Sequence, residues 1–336
     1  MPTRPPVAVV ALPLVAALAG CDNDVDLLSR EAPLPVVYGV FAATDDLQIV
    51  SVTKTFAFAR DGGAREAALA ADSVYYGPEV AVVVANDRTG ASVVAERFAA
   101  ADEGVVREAG DFAPAPNVLY RFDASALGAR PGDRLEVAVE REGARLATAG
   151  ADVLPELSFL QARQPPARIA FSSEVEYALS WRRGEAAAAE LAVYELGFVF
   201  AFRETDPSGR TTDRELYYPA GVGLDADADA ASVRIDGFYD FLAARLEADS
   251  AVTRAVRYAQ LVITGGDADF VAYADLLRAN AGITATQQLP PFTNVDGGLG
   301  VYAGITQLRQ DTFGTLTPDS FDELRDGERT RALNFE

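Results

Sequence analysis

The sequence predicts a mostly β protein, in which an antiparallel β-sandwich over residues 34–155 precedes an α+β domain over residues 156–336. In the first segment, short apolar runs are separated by turns rich in Gly, Pro and Asp. In the second segment, strand-like runs are interleaved with two stretches whose apolar residues recur at helical spacing. Hydrophobic residues make up 49% of the chain, which is enough for a packed core.

Residues 1–20 are predicted to form a signal peptide. Arg4 supplies a positive charge near the start, and residues 7–18 form one apolar stretch. A membrane-spanning helix needs about 20 apolar residues, so this shorter stretch fits the apolar region of a signal peptide.

The signal peptide ends in a sequence that resembles a bacterial lipobox, Leu18, Ala19 and Gly20 followed by Cys21. The signal peptidase needs small residues before the cut, and the Cys21 thiol would receive the lipid. Cys21 is the only cysteine of the chain, which favours this interpretation over an ordinary secretory signal. Each buried methylene contributes about 0.8 kcal/mol, so two or three acyl chains would hold the protein on a membrane.

Residues 21–33 are predicted to form an acidic tether, because Asp22, Asp24 and Asp26 follow Cys21. In the Bacteroidota, such a run resembles the signal that sends lipoproteins to the cell surface. It therefore predicts a surface-exposed outer-membrane lipoprotein. Two alternatives stay open: a tether that is acidic only for solvation, and retention at the inner membrane, which Asp22 favours under the enterobacterial rule.

Elements of the first segment are predicted from apolar runs and from alternation of apolar and polar residues. Val50, Val52, Phe56 and Phe58 share one face of the second predicted strand. The predicted strands are 36–41, 47–58, 80–84, 135–139 and 146–153, with one short helix at 65–71.

Pro155 and the Gln164-Pro165-Pro166 stretch mark the boundary with the second segment. Its predicted strands are 168–172, 177–181, 191–203, 256–264 and 300–308, and its predicted helices are 238–248, 269–279 and 318–324. The second helix follows the acidic start 267–269, which suits a helix N-terminus.

The strand predicted at 191–203 carries an aromatic row on one face. The row comprises Tyr194, Leu196, Phe198, Phe200 and Phe202. Glu195, Gly197, Val199 and Ala201 occupy the opposite face. We interpret the row as core, with a binding platform as the alternative.

The composition excludes several functions. The net charge of −21 would repel phosphates, so no nucleic-acid partner is expected. The chain has no His, and Cys21 is assigned to the lipid, which excludes Ser-His-Asp and Cys-His catalysis as well as His- or thiolate-ligated metals. We expect no cofactor and no enzymatic activity, although a glycosidase with paired carboxylates remains formally compatible with the sequence.

One acidic run has metal-like spacing. Asp225, Asp227 and Asp229 match the first three ligand positions of a calcium loop. The positions that should be Gly and Glu are Ala230 and Asp236. We therefore interpret the run as a solvated acidic loop, with calcium binding as the alternative.

Two further patterns are candidate binding sites. The glycine-rich run 297–304 lacks the Lys-Ser/Thr ending of a phosphate-binding loop and is interpreted as a turn or bulge before the last strand. Tyr75 and Tyr76, and likewise Tyr217 and Tyr218, lie in predicted turns. Exposed tyrosines favour recognition, but neither pair alone identifies a ligand.

Residues 34–41 (LPVVYGVF), the acidic pair 45–46 and residues 52–56 (VTKTF) form a block that follows Cys21. Further motifs are residues 72–76 (DSVYY), 238–242 (FYDFL) and 293–302 (TNVDGGLGVY). Together these segments resemble a family of uncharacterised Bacteroidota lipoproteins, catalogued as domain of unknown function four-two-four-nine.

The resemblance implies an N-terminal immunoglobulin-like β-sandwich and a following α+β portion, with no established activity or functional residues. Such proteins are commonly encoded beside TonB-dependent receptors. We therefore expect an outer-membrane lipoprotein that assists such a receptor in nutrient uptake. A structural or adhesive surface lipoprotein is the alternative.

Overall fold

The computed structural model describes residues 33–55, 64–103, 113, 115–160, 167–172, 174–184, 191–222, 229–281, 292–310 and 313–336. The first ten strands are β1 (Pro35–Ala42), β2 (Leu47–Lys54), β3 (Val80–Asn86), β4 (Ser92–Val94), β5 (Glu96–Ala99), β6 (Val118–Asp123), β7 (Arg134–Arg141), β8 (Ala144–Asp152), β9 (Leu157–Phe159) and β10 (Arg168–Ile169). The others are β11 (Glu176–Arg183), β12 (Ala192–Thr205), β13 (Thr211–Val222), β14 (Ala230–Arg234), β15 (Thr253–Gly266), β16 (Leu299–Arg309) and β17 (Thr315–Leu316). The helices are α1 (Ala64–Leu69), α2 (Ala71–Val74), α3 (Phe238–Arg245), α4 (Ala268–Ala281) and α5 (Pro318–Asp326).

The described part of the chain is mostly β, as predicted, and is dominated by antiparallel pairing. The largest sheet has eight strands in the order β13-β12-β15-β16-β1-β2-β6-β5. Within it, β1 and β16 are parallel, so the first described strand pairs with a strand near the end of the chain. A four-stranded sheet (β4-β3-β7-β8), a three-stranded sheet (β14-β11-β9) and the pair β10-β17 complete the architecture.

The first hydrophobic core lies between the four-stranded sheet and the β1-β2-β6 part of the large sheet. Side chains alternate between the two faces of a strand, and one face of β1 and β2 supplies this core. Its buried side chains are Val37 and Phe41 of β1 and Val50 and Val52 of β2. Tyr302 of β16 is fully buried in the same core.

The second core lies on the same sheet but under β12 and β15, and it includes residues of α3 and α5. Phe171 stacks on Phe238 with ring centroids 3.6 Å apart, and Phe200 meets Phe238 edge-on at 5.3 Å. Each fully buried Phe contributes about 1.5–3 kcal/mol relative to an exposed one. Both cores draw on residues from each side of the predicted 155/156 division, because Leu154 belongs to the second core and Val295 and Tyr302 belong to the first. The eight-stranded sheet also contains strands from both sides.

The aromatic row of β12 is buried, as predicted, but one member lies on the other face of the sheet. Leu196, Phe198, Phe200 and Phe202 are buried together. Tyr194 does not share their face as predicted, because a bulge between Val193 and Glu195 shifts the register against β15. Its ring instead contacts Phe270 of α4, with centroids 5.7 Å apart.

Candidate interaction surface

The outward face of β1 and β2 carries exposed apolar side chains, which we call the apolar strip. It comprises Leu34, Tyr38, Val40, Leu47 and Ile49, all between 40% and 56% exposed. Soluble monomers seldom expose contiguous apolar patches larger than a few hundred Å², and such patches typically mark protein, membrane or ligand contacts.

The sequence produces this strip because β1 and β2 are apolar on both faces. In β1, Val37 and Phe41 enter the first core, whereas Tyr38 and Val40 point the opposite way. Gly39 lies between them because a side chain at this position would press on the ring of Tyr302, whose Cδ2 atom lies 3.1 Å from the ideal Cβ position. The inward face is therefore closely packed, whereas Tyr38 and Val40 on the outward face are exposed.

A charged rim borders the strip on the side of β6. Arg121 pairs with Ile49 in the β2–β6 register. Its guanidinium donates to Glu96 at 2.9 Å and to Glu103 at 2.8 Å, and it lies 4.5 Å from the centre of the Phe98 ring. These carboxylates raise the pKa of Arg121, so the rim stays charged. An apolar centre with a polar rim is the usual anatomy of a protein interface.

Helix α4 borders the strip on the other side. Tyr273 of α4 contacts Tyr38, with ring centroids 6.2 Å apart. The helix begins at Ala268, in agreement with the predicted acidic start. Its preceding residue Asp267 is 3% exposed, and its carboxylate accepts hydrogen bonds from the backbone N–H groups of Gly304 at 2.6 Å and Phe270 at 2.9 Å. Burial raises the pKa of Asp267, while these hydrogen bonds act against the rise.

The glycine-rich run is a structural junction, as the sequence indicated. Gly297 and Gly300 have positive φ, of 72° and 105°. At Gly300 a side chain would collide with the carbonyl oxygen of Val37, because β16 begins to pair with β1 at this point. Only glycine satisfies both requirements.

Three of the four predicted recognition tyrosines are buried. Tyr75 and Tyr76 lie in the first core, and Tyr218 lies in the second. Tyr217 is 38% exposed on β13, so this pair occupies a strand and not the predicted turn. The following Pro219 is tolerated because β13 is an edge strand, where a missing backbone N–H disrupts no ladder on the solvent side.

Of the three candidate calcium ligands, Asp229 is among the described residues, whereas Asp225 and Asp227 lie outside them. The Asp229 carbonyl accepts a hydrogen bond from the Trp181 backbone N–H at 2.9 Å, and its carboxylate lies 3.6 Å from Arg183. Among the described residues, no group of three or more acidic, His or Cys side chains is arranged to hold a metal ion. Calcium binding by this run stays a prediction.

The lipidation site Cys21 and the lipobox residues Leu18, Ala19 and Gly20 also lie outside the described residues. No helix in the described ranges is both long enough and apolar enough to cross a membrane.

A cleft of about 530 Å³ lies between α3 and α5. Its acidic side chains are all exposed, namely Asp236, Asp240, Asp319 and Glu323. Arg329 forms an ion pair with Asp240 at 2.8 Å. At the floor of the cleft, the Ser320 hydroxyl accepts a hydrogen bond from the Phe171 backbone N–H at 2.9 Å. The cleft therefore has an acidic rim and a satisfied structural floor, with no buried carboxylate that could act as an acid or base.

Comparison of the chain with protein-family models found no match, and comparison with curated proteins found none either.

Proposed function

We propose that this protein is an outer-membrane lipoprotein, anchored through Cys21, that serves as an accessory binding partner of a TonB-dependent receptor in nutrient uptake. The apolar strip is the observation that supports this function best. It begins at Leu34, immediately after the predicted acidic tether of residues 21–33.

The length of the tether limits where the partner can be. Residues 21–33 span at most on the order of 40 Å when fully extended. A surface that begins directly after this tether stays close to the membrane in which the lipid is inserted. Its most accessible partner is therefore a protein of the same membrane.

The two packed sheets around the first core fit the finer fold of the proposal, an immunoglobulin-like sandwich at residues 34–155 followed by an α+β portion. In this arrangement the sandwich has one face toward its own core. The opposite face of β1 and β2, which carries the apolar strip, contacts the receptor.

Affinity purification from detergent-solubilised envelope, followed by mass spectrometry, tests the proposal. The tagged wild-type protein should recover a TonB-dependent receptor in stoichiometric amount. Ile49→Asp should lose the receptor, because it places a charge in the centre of the strip. Val94→Asp is the matched control, since Val94 is 65% exposed on β4, outside the strip.

Recovery of the lipoprotein alone, under conditions that preserve a known envelope complex, would contradict the receptor function and favour the adhesive alternative. Recovery of the receptor by Ile49→Asp at the wild-type level would place the docking surface elsewhere. Cys21→Ser should release the protein from the membrane fraction and abolish labelling with radioactive palmitate.

A further inference from the structure

The outward face of the large sheet continues beyond α4 onto β15, β12 and β13. Three aromatic rings lie on this part of the sheet, Tyr217 of β13, Tyr258 of β15 and Phe313, which follows β16. We call them the aromatic platform. Tyr217 is 38% exposed and Phe313 is 57% exposed.

Tyr217 is held flat against the sheet. Its ring crosses the neighbouring strand at Gly197, where any side chain would overlap the phenol. Its hydroxyl donates a hydrogen bond to Glu195. The ring therefore has a fixed position against the backbone of β12, while 38% of the residue stays exposed.

The second half of the platform is a ring pair. Tyr258 and Phe313 have centroids 4.3 Å apart and planes inclined by 37°. The Tyr258 hydroxyl donates to Glu215, which lies two residues from Tyr217 on the same face of β13. Both tyrosines are thus fixed by carboxylates, in the same way, on adjacent parts of the sheet.

Polar side chains on the same face adjoin these rings. The strand register places Glu195 opposite Thr264, and Thr264 opposite Gln307 of β16. Arg309 is exposed, and its guanidinium donates to the Gln307 side-chain oxygen at 3.4 Å. Carboxylates, an amide and a guanidinium together offer both acceptors and donors beside exposed rings.

We propose that the aromatic platform binds a neutral oligosaccharide. The C–H faces of a pyranose are apolar and stack on aromatic rings, while its hydroxyl groups require acceptors and donors at the edges of those rings. The platform of Tyr217, Tyr258 and Phe313, bordered by Glu195 and Gln307, supplies both.

Charge excludes the other ligands that stack on aromatic rings. The chain has a net charge of −21, and Glu195 and Glu215 lie directly at the rings. Nucleic acids and anionic polysaccharides would therefore be repelled. A protein interface would instead be depleted of charged residues at its centre.

Oligosaccharide binding by the aromatic platform does not depend on the receptor, because the platform lies on different strands from the apolar strip. A glycan array with neutral and anionic oligosaccharides tests it first, using the full-length protein in a detergent without a sugar head group. Isothermal titration calorimetry with the strongest binder then measures affinity.

We expect binding to at least one neutral oligosaccharide. Phe313→Ala and Tyr217→Ala should each weaken it by about tenfold or more, because each removes a stacking surface. Val94→Ala is the control: Val94 is 65% exposed on β4, outside both the aromatic platform and the apolar strip, and its loss should change affinity less than about twofold.

Phe313→Ala keeps the test decisive even if Tyr217→Ala fails to fold, since the Phe313 side chain is mostly exposed. The proposal is overturned if no neutral oligosaccharide binds at millimolar concentration, if only anionic glycans bind, or if Phe313→Ala binds like the wild type. An equal loss of affinity in Val94→Ala also overturns it. Loss of receptor recovery in Phe313→Ala, without any glycan binding, identifies this face as a protein contact instead.

Discussion

The Asn294 side chain closes the glycine-rich junction by bonding both backbone groups of Tyr302. Its amide nitrogen donates to the Tyr302 carbonyl at 2.8 Å, and its amide oxygen accepts from the Tyr302 N–H at 3.1 Å. The same amide nitrogen donates to Asp269 of α4 at 2.8 Å and lies 3.3 Å from the Gly150 carbonyl of β8. One side chain therefore connects the start of β16 with α4 and with the four-stranded sheet.

Asn294→Ala should destabilise the protein by about 2–3 kcal/mol, because it leaves both backbone groups of the buried Tyr302 without their Asn294 partner. Urea unfolding followed by tryptophan fluorescence measures the change in the free energy of unfolding. Asp296→Asn is the control, since it alters only an exposed side chain in the same turn. A change below about 0.5 kcal/mol in Asn294→Ala, equal to that of the control, would show that water replaces these bonds.

Gly300→Ala should prevent folding, because φ is +105° and the added methyl group would collide with the Val37 carbonyl oxygen. Gly90→Ala separates the two effects. Gly90 also has positive φ, of 69°, but its Cβ would meet nothing within 4 Å, so we expect a loss of only about 1 kcal/mol. Soluble yield and the melting temperature distinguish the two variants. Equal behaviour would mean that the β1–β16 contact is not tight.

Much of the β structure was predictable from local alternation. The row from Leu196 to Phe202 shows the buried face of β12 in the sequence itself. The bulge that turns Tyr194 away was not predictable, because it depends on how β12 pairs with β15. Likewise, nothing local reveals that Val36 pairs with Leu299 in a parallel ladder. Such pairing depends on the folding of the whole chain.

The candidate surfaces were harder to predict, for a related reason. In β1, Val37 and Tyr38 are both apolar, and alternation assigns them to two faces without showing which face is covered. The position of the second sheet and of α4 decides that question. For the aromatic platform, the adjacent Tyr217 and Tyr218 gave a signal in the sequence. Tyr258 and Phe313 gave none, because they are far apart in sequence and come into contact only in the folded protein.

Asp133 should make the protein sensitive to acid. It is 6% exposed and accepts hydrogen bonds from Asn86 at 2.8 Å, from the Arg130 N–H at 2.9 Å and from Arg88. The Arg88 guanidinium, together with these donors, holds the pKa of Asp133 well below its usual range. A depressed pKa means that this stabilisation is fully present above the unfolded-state pKa of about 4, and that it is lost as the pH falls below this value.

Asp133→Asn should therefore lower the free energy of unfolding by about 2 kcal/mol at pH 7, and by less at pH 3. Denaturant unfolding at both pH values measures the difference from wild type. The comparison is Asp213→Asn, which breaks the exposed pair with Arg203 and should cost below about 1 kcal/mol. If Asp133→Asn is as destabilised at pH 3 as at pH 7, the carboxylate charge is not the cause.

Glu195→Gln should have the opposite pH dependence. Burial raises the pKa of Glu195, and the hydrogen bond from Tyr217 only partly offsets the rise. For an acid with a raised pKa, the stabilisation is full below the unfolded-state value and is lost as the pH rises through the folded-state value. Glutamine keeps an acceptor for the Tyr217 hydroxyl without the charge. The melting temperature of the variant should therefore rise relative to that of the wild type as the pH is raised from 4 to 8.

The prediction would be contradicted if the wild type instead became more stable relative to Glu195→Gln as the pH rises. The expected result bears on the aromatic platform as well. A carboxylate that reduces stability at neutral pH is retained at a position where glutamine would satisfy Tyr217 equally well. If Glu195→Gln melts higher at pH 8 but binds neutral oligosaccharide more weakly, the charge serves the hydroxyl groups of the ligand and not the fold. If it melts higher and binds equally well, Tyr217 and the other rings carry recognition by stacking alone.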